Sequence, residues 1–289
     1  MAIQKRQRGR PKSQFRESSA GTLQSLDRAL GILKAVSKSE RATLTDLSLS
    51  LGVPTATTHR ILTTLQKHGF VAFDEERQDW VIGIEAYRTG VSFMNRTGLS
   101  TVSRPVMRHL MERTGETANL AIPDGAEVVF VGQVETSNPI RAFFARGTRT
   151  SMHASGTGKA ILSALPEERV RKLLMSSGLT SFTDNTLVTP DALFADLAKT
   201  RQRGWSFDSE ERYCGMSCIG SVIYDEHQDP CAGVSISGPS TRFDALRVPE
   251  LGATVAEAAR DITQLIGGRL PDEAPQPEAN TTPLSNHVA

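Results

Sequence analysis

Six consecutive residues, Thr55, Ala56, Thr57, Thr58, His59 and Arg60, combine small side chains, hydroxyls and a guanidinium. At the start of a helix such a set can approach DNA base edges closely, and the arginine can reach a base or a phosphate. Near the N-terminus, Arg8-Gly9-Arg10-Pro11 resembles an AT-hook core. Glycine and proline keep such an arm narrow, while Arg8 and Arg10 reach into the strongly negative minor groove of A·T-rich DNA. A generic phosphate-binding tail fits the same four residues. Elsewhere, Cys218, His153 and Asp208 have the side-chain types of a nucleophile, a base and an orienter. A lone histidine is more often structural than catalytic. Gly156-Thr157-Gly158-Lys159 lacks the GxxxxGK(S/T) spacing of a phosphate loop. Cys214, Cys218 and Cys231 offer no fourth ligand at zinc spacing.

The elements that must position the first set are legible around it. Thr43-Leu44-Thr45-Asp46 has the spacing of a capping box, and Leu44, Leu47 and Leu51 repeat with the period of a buried helical face. Gly52 supplies a tight turn, and Pro54 suits the first turn of a second helix with Ile61, Leu62 and Leu65 as its stripe and Gly69 as its stop. Two short helices joined this way form a helix-turn-helix, whose second helix presents its N-terminal residues to the major groove. A helix with Leu26, Leu30, Leu33 and Val36 on one face precedes it, with Ser25 as N-cap and Asp27 in the first turn. Phe70–Phe73 and Trp80–Gly83, separated by a polar turn, form a hairpin. The hairpin makes the module a winged helix, with Arg77 and Gln78 at the wing tip. Expected DNA contacts are therefore Thr55, Thr57, Thr58, Arg60 and Arg77, with Arg8 and Arg10 from the arm.

Charge supports that placement. Residues 1–70 hold twelve Lys or Arg against four Asp or Glu, a net of +8, so the remainder carries −7. A basic module joined to a mildly acidic one fits a nucleic-acid reader attached to something that does not touch DNA. No apolar run approaches the roughly 18 residues of a membrane span, and the basic N-terminus has no apolar segment of a signal peptide. Three cysteines, an odd number, argue for reduced thiols in the cytoplasm.

The remaining chain reads as an α/β domain. Residues 84–98 form a connecting helix, and a helix over 99–114 carries Val102, Val106, Leu110 and Met111. Strands follow at TANLAI and EVVFVGQV, joined at Asp124-Gly125, and at IRAFFA (140–145). A glycine-containing loop then leads into a helix, with further helices at 166–177 and 190–203. Strands CIGSVIYD (218–225) and CAGVSISG (231–238) precede a last helix over 248–266. Expected boundaries are a disordered arm over 1–20, a DNA-binding domain over 21–84, the connector over 85–98, a second domain over 99–268 and a disordered tail over 269–289.

The runs QSLDRALGIL, LTDLSLSLGVPTATTHRILTTLQKHGFV, HASGTGKAIL, CIGSVIYD and SISGPSTR resemble, in order and spacing, the IclR family of bacterial transcription regulators. The resemblance covers roughly residues 23–268, and within the family it is nearest to the glyoxylate-sensing branch that includes the allantoin-utilisation repressor. It implies a winged helix-turn-helix, a connecting helix and a GAF-like effector-binding domain. It also implies no cofactor, no metal and no catalysis. The implied partners are double-stranded DNA with a palindromic operator, a small oxo-acid effector such as glyoxylate, and copies of the chain paired as a dimer of dimers. The implied ligand residues are Gly156, Thr157, Asp208, Cys218, Ser235 and Ser237, although the family loop often has alanine at the place of Thr157.

The residue types are compatible with that set. Free N–H groups at a helix start suit a carboxylate. Ser235 and Ser237, two apart on a strand, share a face. Asp208 can accept from a hydrated aldehyde, and Cys218 is a small wall or weak donor. Two other readings remain at this level. An architectural DNA-binding protein needs only the arm and winged helix, and leaves the larger second domain without a use. A cysteine-dependent hydrolase needs Cys218, His153 and Asp208 to meet.

Overall fold

The structure, a computed structural model, describes residues 23–39 and 42–271, excepting the side chains of 91–97. The arm with Arg8 and Arg10, and the tail beyond residue 271, lie outside the described residues. The chain divides into two compact units at residues 93/94.

In the first unit, helices α1 (Gln24–Lys38), α2 (Leu44–Leu51) and α3 (Thr55–Lys67) are followed by strands β1 (Val71–Asp74) and β2 (Asp79–Ile82). Thr43 starts α2 as its spacing predicts. Its Oγ1 accepts the Asp46 N–H at 3.2 Å and donates to the Asp46 carboxylate at 2.7 Å. Gly52 closes α2 in the left-handed region at φ +59°, where a side chain would be strained. The wing is an antiparallel hairpin that pairs Val71 with Ile82 and Phe73 with Trp80. Ile32, Val36, Leu47, Leu62, Val71 and Trp80 form the core.

Three local expectations are corrected. Ser25 lies inside α1, whose N-cap, Leu23, has no capping side chain. The buried face of α1 runs through Ile32 and Val36, while Leu26 and Leu30 are about half exposed; in α2 Leu47 is buried and Leu51 is not. The stripes are narrower than the leucine count suggests because a two-turn contact needs only one or two anchors per helix. Pro54 sits one residue ahead of the helix, and its carbonyl accepts the N–H groups of Thr57 and Thr58.

Helix α4 (Ile84–Thr97) spans the division between the units. The second unit then comprises α5 (Leu99–Thr114), β3 (Thr117–Asp124), β4 (Glu127–Val134), β5 (Arg149–Ser151), α6 (Gly156–Ala164), α7 (Glu167–Ser177), α8 (Pro190–Arg203), β6 (Ser206–Ser209), β7 (Met216–Tyr224), β8 (Pro230–Pro239) and α9 (Arg247–Leu265). Its sheet has the order β5-β4-β3-β8-β7-β6, and every adjacent pair is antiparallel. Strand alternation separates the two faces. Ala118, Leu120, Ile219, Val234 and Ile236 pack in one core with Leu251, Val255 and Ile262 of α9. The opposite face carries Thr117, Asn119, Ser235 and Ser237, and is covered in part by α6.

Here too the sequence reading is corrected. Residues 140–145 form no strand, and Ile140 and Phe143 are exposed. Pairing with β4 falls instead to the three residues of β5. Strand β6, which carries Asp208, is an element the sequence pattern does not signal. On α5 the buried positions are Leu99, Ser103, Met107, Leu110 and Thr114; Val102 and Val106, one position round the helix, are half-buried. Among the described residues, no helix is long and apolar enough to cross a membrane.

Candidate functional site

The N-terminal turn of α3 presents an uneven set of side chains. Thr55, Ala56, His59 and Arg60 are exposed, Thr57 is half-buried, and Thr63 and Thr64 continue the exposed face. Thr58 is a correction to the expected contacts: it is fully buried, and its hydroxyl donates to the Val53 and Pro54 carbonyls at 3.3 Å. It fixes the turn from the inside and has no surface to offer a base. Thr55 Oγ1 lies 3.1 Å from Ser48 Oγ, which itself donates to the Val53 carbonyl, so this hydroxyl is oriented by α2. Arg60, His59 and Thr57 share a groove with Gln24, Ser25 and Arg28 of α1. Arg77 stands at the wing tip with its side chain 75% exposed and Asp74 nearby.

In the second unit, α6 starts directly on the sheet, and glycines let it do so. A methyl group on Gly220 of β7 would meet the Gly156 carbonyl carbon and the Thr157 nitrogen at 2.6 Å. One on Gly233 of β8 would meet Thr157 Cγ2 at 2.6 Å, and one on Gly156 would lie 2.7 Å from Cys218 Sγ. Ser155 caps the helix, its Oγ accepting the Gly158 N–H at 3.3 Å, and Ser206 Oγ donates to the Gly156 carbonyl. Beneath this helix start, strand register aligns two rows of side chains. Thr117, Ser237, Cys218 and Asp208 form one row across β3, β8, β7 and β6; Asn119, Ser235, Gly220 and Ser206 form the next.

A cavity of about 30 Å³ opens over the first row, lined by Asp208, Cys218 and Ser237 together with Ser155, Phe130 and Arg212. A single water needs roughly 10–15 Å³ on this measure, so the space suits a molecule of a few heavy atoms. Of the six expected ligand residues, three line the cavity and Gly156 abuts Cys218 from the helix side. Ser235 is buried in the adjacent row, and Thr157 packs its methyl on Gly233. The hydroxyls of Thr117 and Thr157, outside the cavity lining, and of Thr150, within it, are buried without hydrogen-bond partners. Phe144, stacked on Phe130 at 4.8 Å between ring centres, and Tyr213 are cavity walls that sequence reasoning misses. They come from an irregular segment and a loop, which carry no periodic signal.

The model of the IclR helix-turn-helix domain matches residues 25–75, and that of the bacterial transcriptional regulator IclR C-terminal domain matches residues 91–264. The chain belongs to the IclR family. The transcriptional repressor IclR of Escherichia coli is 43% identical over 90% of this chain and 96% of its own length. The repressor AllR of the same species is 38% identical over 91% and 97%. Among solved structures, the IclR of Thermotoga maritima superposes with a TM-score of 0.71 at 28% identity, covering 84% of this chain and 98% of that one. The protein is thus a DNA-binding transcriptional regulator and not an enzyme.

The geometry around the two enzyme-like motifs agrees with membership of this regulator family. His153 Nε2 pairs with the Thr180 carbonyl at 2.9 Å, and burial lowers its pKa. Asp208 Oδ1 accepts the Glu211 N–H at 2.7 Å. The Nε2 of this histidine is therefore committed to a backbone carbonyl. Lys159 is no phosphate lysine either. It is wholly buried, and its Nζ reaches the Phe207 carbonyl at 2.6 Å, Glu211 at 2.5 Å and Asp196 at 2.9 Å.

That lysine ties α6 to α8 and to the segment carrying Asp208. Burial works against its charge, but Glu211 and Asp196 more than offset this and hold its pKa above the ordinary value. One ammonium cannot neutralise three carboxylates. Burial pushes Glu211 up to about 7 and Asp208 up to about 6, against the pull of Lys159. Burial also pushes the Cys218 thiol up to about 11, with the nearby Asp208 charge adding to the effect.

Proposed function

We propose that this IclR-family regulator binds a small oxo-acid, glyoxylate or a close relative, in the cavity between the start of α6 and strands β6–β8, and that occupancy changes its grip on DNA. The observation that carries this reading is a small cavity beside the start of α6, lined by Asp208, Cys218, Ser237 and Thr150, whose buried hydroxyl has no hydrogen-bond partner. Polar atoms buried without partners cost stability unless a ligand engages them. The Gly156 and Thr157 N–H groups hold the carboxylate of the effector, while Asp208, Ser235 and Ser237 orient its aldehyde end and Cys218 closes the wall. Glyoxylate has few heavy atoms, and a ceiling of about 1.5 kcal/mol per atom limits it to micromolar affinity at best.

In the same reading residues 21–84 bind DNA, 85–98 connect, and 99–268 sense. Thr55, Thr57 and Arg60 enter the major groove, Arg77 lies along the flanking backbone, and the arm with Arg8 and Arg10 adds minor-groove or phosphate contacts. The protein acts in the cytoplasm as a dimer of dimers on a palindromic operator. Calorimetric titration with glyoxylate and other small oxo-acids tests the sensor. Wild type should bind, and a Ser235→Ala, Ser237→Ala variant should lose most of that affinity. Wild-type affinity in this variant would move the pocket elsewhere, and failure of wild type to bind any such acid would remove the effector assignment.

A further inference from the structure

We infer that Cys218 is a reversible covalent anchor: its thiol adds to the aldehyde carbon of the effector to form a hemithioacetal, with Asp208 carrying the proton. The inference rests on the oxo-acid reading above and narrows it to aldehydes.

The position of the thiol carries the argument. Cys218 stands between Asp208 on β6 and Ser237 on β8, each directly opposite it in the strand register, and all three line the cavity. Directly opposed side chains have their Cβ atoms about 4.5–5.5 Å apart, within reach of a shared small ligand. Gly156 closes the other side, so near that a methyl group there would be 2.7 Å from Sγ. The Gly156 N–H and the Ser235 and Ser237 hydroxyls face the sulfur. Thr150, 7% exposed, lines the same cavity, and its hydroxyl has no hydrogen-bond partner. A cysteine that merely fills space needs no such company. An oxygen created in the cavity would find hydroxyl donors already there, on Ser237 and Thr150.

The protonation states suit the step. Burial keeps the thiol protonated at neutral pH, with a pKa of about 11, so it adds only where a base takes its proton. Asp208, raised to about 6, is ionised at neutral pH yet more basic than an ordinary carboxylate. The sulfur lone pair forms the C–S bond as the S–H proton passes to Asp208. The carbonyl π pair moves onto the oxygen, which takes that proton back from Asp208 to become a hydroxyl. Nothing is oxidised or reduced and no group leaves. An effector arriving as the hydrate first loses one water. The reverse sequence releases the aldehyde unchanged, as a sensor requires. Ketones are more hindered and less electrophilic, so the bond favours an aldehyde acid over its ketone homologues.

The test compares glyoxylate with glycolate, which has the same carboxylate but no electrophilic carbon, on the full chain. In wild type, glyoxylate should bind more tightly than glycolate; in Cys218→Ser and in Cys218→Ala that preference should shrink by about tenfold or more. Carbon-13 at the aldehyde carbon should give a bound signal in the range of a saturated carbon bearing sulfur, absent with either variant. A bound signal from the free aldehyde or the hydrate alone, or a preference unchanged in both variants, would overturn the covalent step and leave the effector site standing. If wild type binds no glyoxylate, both readings fall together.

Discussion

Replacing Asp208 by asparagine keeps the Oδ1 acceptor for the Glu211 N–H and removes the charge. Burial raises this carboxyl from an ordinary 3.8 to about 6. Each unit is worth about 1.4 kcal/mol, so the ionised group costs the folded protein up to about 3 kcal/mol at neutral pH. The direction follows from which state holds the proton. Below about pH 4 the carboxyl is protonated in folded and unfolded chains alike, and the penalty vanishes. Between about 4 and 6 the folded state binds more protons than the unfolded one, so stability falls as pH rises; above about 6 the full penalty is present. Asp208→Asn should therefore stabilise the second unit by up to about 3 kcal/mol at pH 7.5, with an advantage that fades towards pH 4. Urea unfolding followed by Trp205 fluorescence, in a Trp80→Phe background, isolates this unit from the winged helix. A difference that does not change with pH, or a variant less stable than wild type at pH 7.5, would refute the electrostatic argument. The same variant should respond poorly to effector, making the stored penalty a cost of function.

Lys159→Met leaves Glu211, Asp196 and Asp208 without their shared cation, and should cost about 3–5 kcal/mol at pH 7.5 in denaturant unfolding, less at pH 5.5 where Glu211 and Asp208 take up protons. Gly220→Ala drives a methyl into the backbone of Gly156 and Thr157, so unfolding should show a loss of at least about 1–3 kcal/mol and calorimetry a weakened effector site. Arg60→Ala should weaken operator binding in fluorescence anisotropy, whereas Thr58→Ala should act first on the melting temperature of the winged helix. Deleting residues 1–20 should make the salt dependence of DNA binding shallower by about 0.9 for each phosphate that the arm neutralises, and an unchanged slope would show that it neutralises none.

The winged helix is legible in the sequence because its signals are local: a capping hydroxyl, a left-handed glycine and a polar hairpin turn each act within a few residues. The exposure of Leu26, Leu30 and Leu51 is not, since a leucine repeat marks a helix without saying how much of it finds a partner. Strand β6 escapes because Ser-Phe-Asp-Ser has no apolar alternation and owes its form to pairing with β7. Residues 140–145 mislead in the opposite sense, since Ile140, Phe143 and Phe144 look like strand residues but Phe144 is used as a cavity wall. In the candidate site, Ser235 and Ser237 share a face by simple alternation, while their alignment with Cys218 and Asp208 depends on a register between distant strands. The role of Lys159 is invisible in the sequence because a buried ion network is assembled from three elements, none of which announces it alone.

The most direct measurement of the central claim is operator affinity with and without glyoxylate, using the DNA upstream of the protein's own gene. A ligand shifts such an equilibrium only by its difference in affinity for two states, typically about 1–3 kcal/mol, so the dissociation constant should change by roughly 5–150-fold in wild type. In the Ser235→Ala, Ser237→Ala variant the ratio should collapse towards one. Equal affinities with and without saturating glyoxylate in wild type, or a full response in the variant, would contradict the account.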